Sequence, residues 1–362
     1  MRHIILVGAL PPPVHGMAAV NAAIYDQLKD GNIELSVIDI SASTLHRSLI
    51  VRFGRLPRVI WGLGKFLFHF RHKGDTLYMS ISGGLGQLYE LAFLSIARLF
   101  SMRVYLHYHS FAYLNRYNPV TNALAKVGGP SCVHITLSPG MASRLRSCYP
   151  AARKVLSLSN VVFSPETGVS VQGVRPCLIT IGFLSNISID KGIFDFLDLV
   201  TACENAGLQL KAKIAGPFQD ADTEKKVKQR LAKTSIVKYV GPKYGNDKIL
   251  FLDSIDALIF PTRYVNEAEP LTLHEAMQNY LPVIAYGRGS IPEIVDSKCG
   301  LVIDTEKPFV PEALARLKQW LDRPEDYRAA SRAARERFVS TQNDNLSVWK
   351  KLIGDIHADH TG

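Results

Sequence analysis

No apolar run in this 362-residue chain is long enough to cross a bilayer. The richest stretch, residues 88–106, is interrupted by Glu90, Arg98 and Arg103, whereas a spanning helix needs about 20 predominantly apolar residues in succession. Cysteine is sparse. Its five copies, Cys132, Cys148, Cys177, Cys203 and Cys299, show neither Cys-x-x-Cys spacing nor a histidine at metal-ligand distance, which argues against a structural zinc site and against a disulfide framework. Gly/Ser, Gln/Asn and acidic runs are missing, as are short-period repeats, so the composition gives no sign of a long disordered segment or a solenoid. Acidic side chains are missing altogether from residues 41–74. No Asp-x-Asp motif is expected at a strand end, so no divalent ion is called for.

What is there is the composition of a folded protein, 47% hydrophobic and 20% charged, with a formal net charge of +10. That length exceeds what one core usually organises, so two domains are expected. The charge implies an anionic partner: nucleic acid, a membrane surface or a phosphate-bearing substrate. No recognisable nucleic-acid module accompanies it. The opening MRHIILVGAL reads as a buried strand and not as a signal peptide, since its apolar stretch is short and runs into Pro11, Pro12 and Pro13. A cytoplasmic protein follows from these features.

Short β-rich runs alternate with helix-length stretches throughout. HIILVGAL, ELSVIDI, TLYMSIS, RVYLHYH and HITLS precede a turn-rich segment, FSPETGVSVQGVRP, and CLITIGF, LKAKIAG, VKYVG, ALIFPT, PVIAY and GLVID follow it. Such alternation predicts parallel sheets with crossover helices. The expected fold class is α/β, with two doubly wound, Rossmann-like domains at 1–165 and 166–340 and a C-terminal helix at 341–362 that packs back on the first domain. Ligands in such sheets collect beyond the carboxyl ends of the strands.

The most informative segment is PTRYVNEAEPLTLHEAMQNYLPVIAYGRGSIPEIV, residues 261–295. It opens at a strand end and carries Glu267 and Glu275 with seven residues between them. Pro270 suits a first helical turn, so the free N–H groups of Leu271 and Thr272 are candidates to receive phosphate. Two carboxylates so spaced can accept hydrogen bonds from two hydroxyl-bearing parts of one ligand. By spacing alone they equally well complement a helix dipole.

EAEPLTLHEAM followed by LPVIAYGRGSIPEIV resembles the donor-site signature of the family 4 retaining glycosyltransferases, which have the GT-B architecture of two Rossmann-like domains facing across a cleft. The resemblance implies that Glu267 contacts the donor sugar and Glu275 the ribose. Gly289 stands in the family's glycine loop, with Ser290 where a second glycine is common. In IGFLSNISIDKG the resemblance assigns the donor diphosphate to the strand glycine, Gly182, and to Lys191. Phe183 occupies the place of the usual arginine, a departure for which Asn186 or Arg263 would have to compensate. The loop GALPPPVHGMAAV offers Gly16 for close backbone approach, and His109 in RVYLHYHS aligns with the family's active-site histidine; His107 lies on the same strand face. LSPGMASRL and LSNVV, with Asn160, extend the likeness over most of the chain.

The resemblance thus implies transfer of a sugar from a nucleotide diphosphate donor, UDP before GDP, to a glycan or lipid-linked acceptor. It implies retention of configuration, catalytic roles for Glu267, His109 and Lys191, and no metal or other cofactor. Its commonest setting is bacterial envelope polysaccharide or lipopolysaccharide synthesis. Two rivals share the scaffold: a sugar-nucleotide epimerase or phosphorylase, and a non-catalytic subunit that binds a membrane or partner.

In residues 41–74, Arg47, Arg52, Arg55, Arg58, Lys65, Arg71 and Lys73 accompany apolar residues at helical spacing, namely Phe53, Leu56, Ile60, Leu63, Leu67 and Phe70. Arg52, Arg55, Arg58 and Lys65 are therefore candidates for an acceptor or anionic-membrane surface at the inner face of the plasma membrane. The alternative is an apolar stripe packed on the sheet beneath a solvated basic face.

Overall fold

Strand runs that are apolar at every position demand cover on both faces, and parallel sheets flanked by helices supply it. The computed structural model describes residues 3–12, 16–29, 34–41, 56–69, 75–164 and 173–357. Arg47, Arg52, Arg55, Arg71 and Lys73 lie outside the described residues. In chain order the elements are β1 (His3–Gly8), α1 (Gly16–Lys29), β2 (Glu34–Asp39), α2 (Leu56–His69), β3 (Thr76–Ile81), α3 (Gly86–Leu99), β4 (Arg103–Tyr108), α4 (Ala112–Asn115), α5 (Pro119–Gly128), β5 (Val133–Thr136), α6 (Pro139–Cys148) and β6 (Lys154–Ser157). They continue with β7 (Thr180–Leu184), α7 (Ile193–Asn205), β8 (Lys211–Ala215), α8 (Ala221–Leu231), β9 (Val237–Tyr239), α9 (Gly245–Asp253), β10 (Ala257–Phe260), α10 (Leu271–Gln278), β11 (Val283–Tyr286), α11 (Ile291–Ile294), β12 (Gly300–Ile303), α12 (Phe309–Asp322) and α13 (Pro324–His357).

The chain divides into two units, Met1–Phe163 with Asp344–Gly362, and Ser164–Asn343. Each holds one parallel six-stranded sheet, ordered β2-β1-β3-β4-β5-β6 in the first and β12-β11-β10-β7-β8-β9 in the second. The architecture is α/β, with two Rossmann-like, doubly wound units. Every residue of β1 and β3 is buried, as expected for strands covered on both faces. In the second unit Ile181, Phe183, Phe196, Ile214, Ile259 and Ile284 belong to one core between sheet and helices. Among the described residues no helix is long and apolar enough to cross a membrane.

The order in the second sheet fixes where a ligand can sit. From β7 the chain first adds β8 and β9 on one side, then returns to add β10, β11 and β12 on the other. The loops leaving β7 and β10 therefore diverge to opposite faces and open a crevice at the carboxyl edge.

The last helix differs from the expected short element at 341–362. It runs unbroken from Pro324 to His357, because no proline or glycine interrupts residues 325–353. In the second unit Tyr327 OH donates to Asp256 O at 2.8 Å and Arg337 Nη2 to Glu293 O at 2.7 Å. In the first, Asn345 Oδ1 accepts from Ser159 N at 2.8 Å, Trp349 meets Phe163 edge-on at 5.2 Å, and Arg103 Nη2 donates to the carbonyls of Asp355 and Ile356.

The first sheet buries His107 and His134, each against a tyrosine. Tyr78 OH meets His107 Nδ1 at 2.9 Å, and Tyr108 OH meets His134 Nδ1 at 2.9 Å. Burial pushes the His134 pKa down to about 4. Burial, then the neighbouring His109, holds His107 well below its ordinary value. In the unfolded chain both protonate at about 6.5, so as pH falls the unfolded state takes up protons first and stability is lost, for His134 between about 6.5 and 4 and for His107 from about 6.5 downward, by up to about 1.4 kcal/mol per pH unit each. Urea denaturation across that window is expected to show this slope, and His134→Phe to remove about one histidine's share; an unchanged slope would mean that His134 does not titrate on unfolding.

Candidate functional site

The two loops of the second unit's crevice meet through side chains. Residues 185–192 leave β7 and end at Gly192, whose left-handed backbone (φ 79°) starts α7. A Cβ on Gly192 would stand 1.9 Å from Pro261 O, so glycine there lets the β7 loop lie against the β10 loop. Arg263 N donates to Asp190 O at 2.8 Å across the same junction. This approach carries Lys191 to Glu267: Lys191 Nζ forms an ion pair with Glu267 Oε2, and Thr262 Oγ1 donates to the same oxygen at 3.0 Å. The ammonium also lies 5.3 Å from the Tyr264 ring centroid and 5.7 Å from that of Phe260. Glu267 is 8% exposed, a burial that a carboxylate tolerates only with such partners.

Pro270 is the extended residue preceding α10, with no side-chain cap. The backbone N–H groups of Leu271 and Thr272 at this helix start belong to the turn that lacks intrahelical acceptors. One turn further, buried Glu275 pairs with Lys248 of α9 and its carbonyl accepts from Asn279 Nδ2 at 2.8 Å. Gly289 (φ 56°) closes the other wall; a Cβ there would stand 2.1 Å from Glu267 O, and the adjacent Ser290 N donates to Ala268 O at 2.9 Å. The glycine-loop backbone thus clamps the segment that carries Glu267.

The structure brings together Lys191 with Glu267, and places Pro270, Leu271, Thr272 and Glu275 on the continuation of the same loop and helix. Asn186 stands half-buried in the β7 loop. Arg263 is otherwise engaged. Its guanidinium forms a two-point pair with Asp195, at 2.7 and 2.6 Å, and stacks over Tyr286 at 5.3 Å; donating these hydrogen bonds to Asp195 raises its pKa further. Gly182 is explained by packing, since a Cβ would stand 2.4 Å from Ile255 Cδ1. Phe183, in the arginine's place, is fully buried and packs on Phe196 at 5.6 Å. Its side chain belongs to the core between β7 and α7.

Gly16 and His109 belong to the first unit. Gly16 opens α1, with open space where a Cβ would be. His109 follows β4, half-buried, its ring 4.1 Å from that of His107. Of the basic candidates on the 41–74 segment, Arg58 donates to Ser41 O at 3.2 Å, Lys65 is exposed on α2, and Arg52 and Arg55 are outside the described residues.

Sequence reasoning missed Lys248, Thr262 and the buried pair Glu269–His274. The signal for the last was two ionisable residues at positions 269 and 274 inside an otherwise apolar helix start. His274 Nε2 meets Glu269 Oε1 at 2.9 Å, both side chains 2% exposed. It also passed over an Asp-x-Asp pair, Asp220 and Asp222, where Asp220 caps α8 through Thr223 N at 2.7 Å. Among the described residues no group of three or more His, Cys, Asp or Glu could hold a metal ion.

With this geometry in place, likeness to known proteins has a physical basis. Residues 175–337 match the family model of glycosyl transferases group 1, which covers nearly all of the second unit. No curated protein matches the chain by sequence. Among solved structures, Anabaena Alr3699/HepE in complex with UDP is similar at TM-score 0.70 and 16% identity, over 97% of this chain and 99% of that one. Sucrose-phosphate synthase from Thermosynechococcus elongatus is similar at 0.73 and 14%, over 98% and 100%. The lipopolysaccharide outer core galactosyltransferase WaaB, in its apo form, is similar at 0.66 and 15%, over 96% and 99%. The second unit is a glycosyl transferases group 1 domain, and the fold of the whole chain is GT-B. The protein is a glycosyltransferase.

Because Glu269 and His274 share a buried contact, their substitutions should not add. His274→Leu is expected to cost about 1–3 kcal/mol by stripping a partner from a buried carboxylate, and adding Glu269→Leu to restore much of that loss. Urea denaturation of the two single variants and the double variant measures the coupling; simple additivity would show that the pair contributes nothing.

Proposed function

We propose that the chain is a retaining, family 4-like transferase that takes a sugar from a UDP-sugar and delivers it to a glycan or lipid-linked acceptor in bacterial cell-envelope polysaccharide synthesis, at the inner face of the plasma membrane. The observation that carries the reading is the Lys191–Glu267 pair in the β7/β10 crevice, next to the uncapped start of α10. It puts a cation and helix N–H groups, which suit a diphosphate, beside a carboxylate that suits sugar hydroxyls. Glu275, one turn on, is then the acceptor for ribose hydroxyls. Structures of Anabaena Alr3699/HepE with UDP, with UDP and glucose, and with UDP-glucose support UDP as the nucleotide.

In the reaction the anomeric carbon loses its bond to the diphosphate oxygen and gains one to the acceptor oxygen on the same face. The acceptor's proton passes to the departing phosphate. Lys191 and the N–H groups of Leu271 and Thr272 stabilise the charge that grows on the leaving group, where preorganised donors contribute most. Glu267 holds the sugar by its hydroxyls. This assignment routes no step through a metal ion.

One departure favours a second reading. With Phe183 committed to the core and Arg263 to Asp195, Lys191 is the only side-chain cation of the expected clamp. A non-catalytic GT-B subunit would tolerate that. Calorimetric titration with UDP, GDP, ADP and their common sugar conjugates separates the two. Selective binding of UDP and one UDP-sugar is expected, with Glu275→Ala weakening UDP by about tenfold or more, as for loss of hydrogen bonds to a charged group. Binding of none of them would establish the non-catalytic reading.

A further inference from the structure

Helix α2 is apolar on two sides, one of them buried and the other exposed. Val59, Gly62 and Phe66 form the inner side: Val59 is 2% exposed, a Cβ on Gly62 would meet Ile38 and Phe93, and Phe66 meets the Phe93 ring edge-on at 5.6 Å. At 3.6 residues per turn, the circuit from that seam passes through Leu56, Leu67 and Ile60, then Phe68 and Trp61, before reaching Lys65 and Arg58. The intervening arc faces water, with Ile60 61%, Trp61 69% and Phe68 85% exposed. Leu56, Pro57, Ile60, Trp61 and Gly64 line a shallow groove along it. A helix that is apolar nearly all round is ordinarily buried, and a contiguous exposed apolar face rimmed by charge marks an interaction surface.

Charge decides the occupant. Lys65 lies on the rim, its ammonium 5.8 Å from the Trp61 ring centroid, with Arg58 beside it in the circuit. The whole stretch 41–74 carries seven basic residues and no acidic one. A second copy of this face would bring like charges together, whereas an anionic lipid surface takes both the apolar arc and the basic rim. We propose that α2 docks this protein on anionic phospholipid bilayers, with Trp61 and Phe68 entering the headgroup–acyl boundary, Ile60 and Leu67 beside them, and Lys65 at the phosphates. The inference deepens the membrane placement in the proposed function and rests on α2, not on the donor-site reading, so either can fail without the other.

The full chain supplies its own probe. Of its three tryptophans, Trp320 and Trp349 are 2% and 4% exposed, so a change in tryptophan emission on adding lipid reports Trp61. Flotation with vesicles of equimolar phosphatidylcholine and phosphatidylglycerol is expected to carry the protein upward, with a blue shift of the emission and little flotation on phosphatidylcholine alone. Trp61→Ser/Phe68→Ser, checked for unchanged thermal unfolding, is expected to lower partition by at least about tenfold given the apolar area withdrawn, and Lys65→Glu to lower it and reduce its sensitivity to salt. UDP titration of the double variant should match the wild type. Equal flotation of wild type and double variant overturns the proposal. So does a wild-type dimer in sedimentation that Trp61→Ser/Phe68→Ser converts to monomer, which would make the face a contact between copies.

Discussion

Everything in the second unit follows from the reversal of strand order beside β7. Parallel strands must be joined by crossovers, and when successive crossovers lie on opposite faces, two neighbouring strands end in loops that part company. Here those strands are β7 and β10. One loop ends in Lys191, the other carries Glu267, and the absence of Cβ atoms at Gly192 and Gly289 allows backbone to close on backbone around them. The ion pair is a consequence of topology first and of side-chain chemistry second.

That constraint also explains why so much could be read in advance. The eleven stretches expected as strands coincide with β1 to β5 and β7 to β12; central ones such as β1, β3, β7, β10 and β11 are buried at every position, and the rest keep enough β-branched and aromatic residues between turns to be read. The strand that escaped, β6, is four residues long at the sheet edge, with Lys154 exposed and no residue fully buried. Its four residues, KVLS, are too short and too mixed to show a period. The long α13 was read as shorter than it is because its amphipathic pattern is weak; its continuity comes from the lack of proline and glycine over residues 325–353.

The site residues were singled out by resemblance more than by spacing. Glu267 and Glu275 stood out because EAEPLTLHEAM resembles a donor-site signature; their spacing alone fits a complement to the helix dipole equally well. Lys248 did not, since it reaches Glu275 from α9, and nothing in the sequence announces that α9 lies beside α10. Glu269 and His274 were hidden for a related reason: five residues apart across a helix start, they meet only because the loop before Pro270 folds back. Phe183 shows the converse. Its place in the motif suggested a missing phosphate contact, while its place in the fold, on the core face of β7 with Ile181, shows a side chain used for packing.

The pairs Lys191–Glu267 and Lys248–Glu275 give the crevice of the second unit a charge balance of its own. Each ammonium is already answered by a carboxylate, so a visitor must exchange partners and not merely arrive. A bare anion that draws off Lys191 strands the Glu267 carboxylate, and a neutral polyol that satisfies Glu267 strands the ammonium. Under the proposed reading, a molecule with hydroxyls and phosphates at the right separation satisfies both partners of a pair, whereas inorganic phosphate or a free sugar satisfies one and leaves the other unpaired.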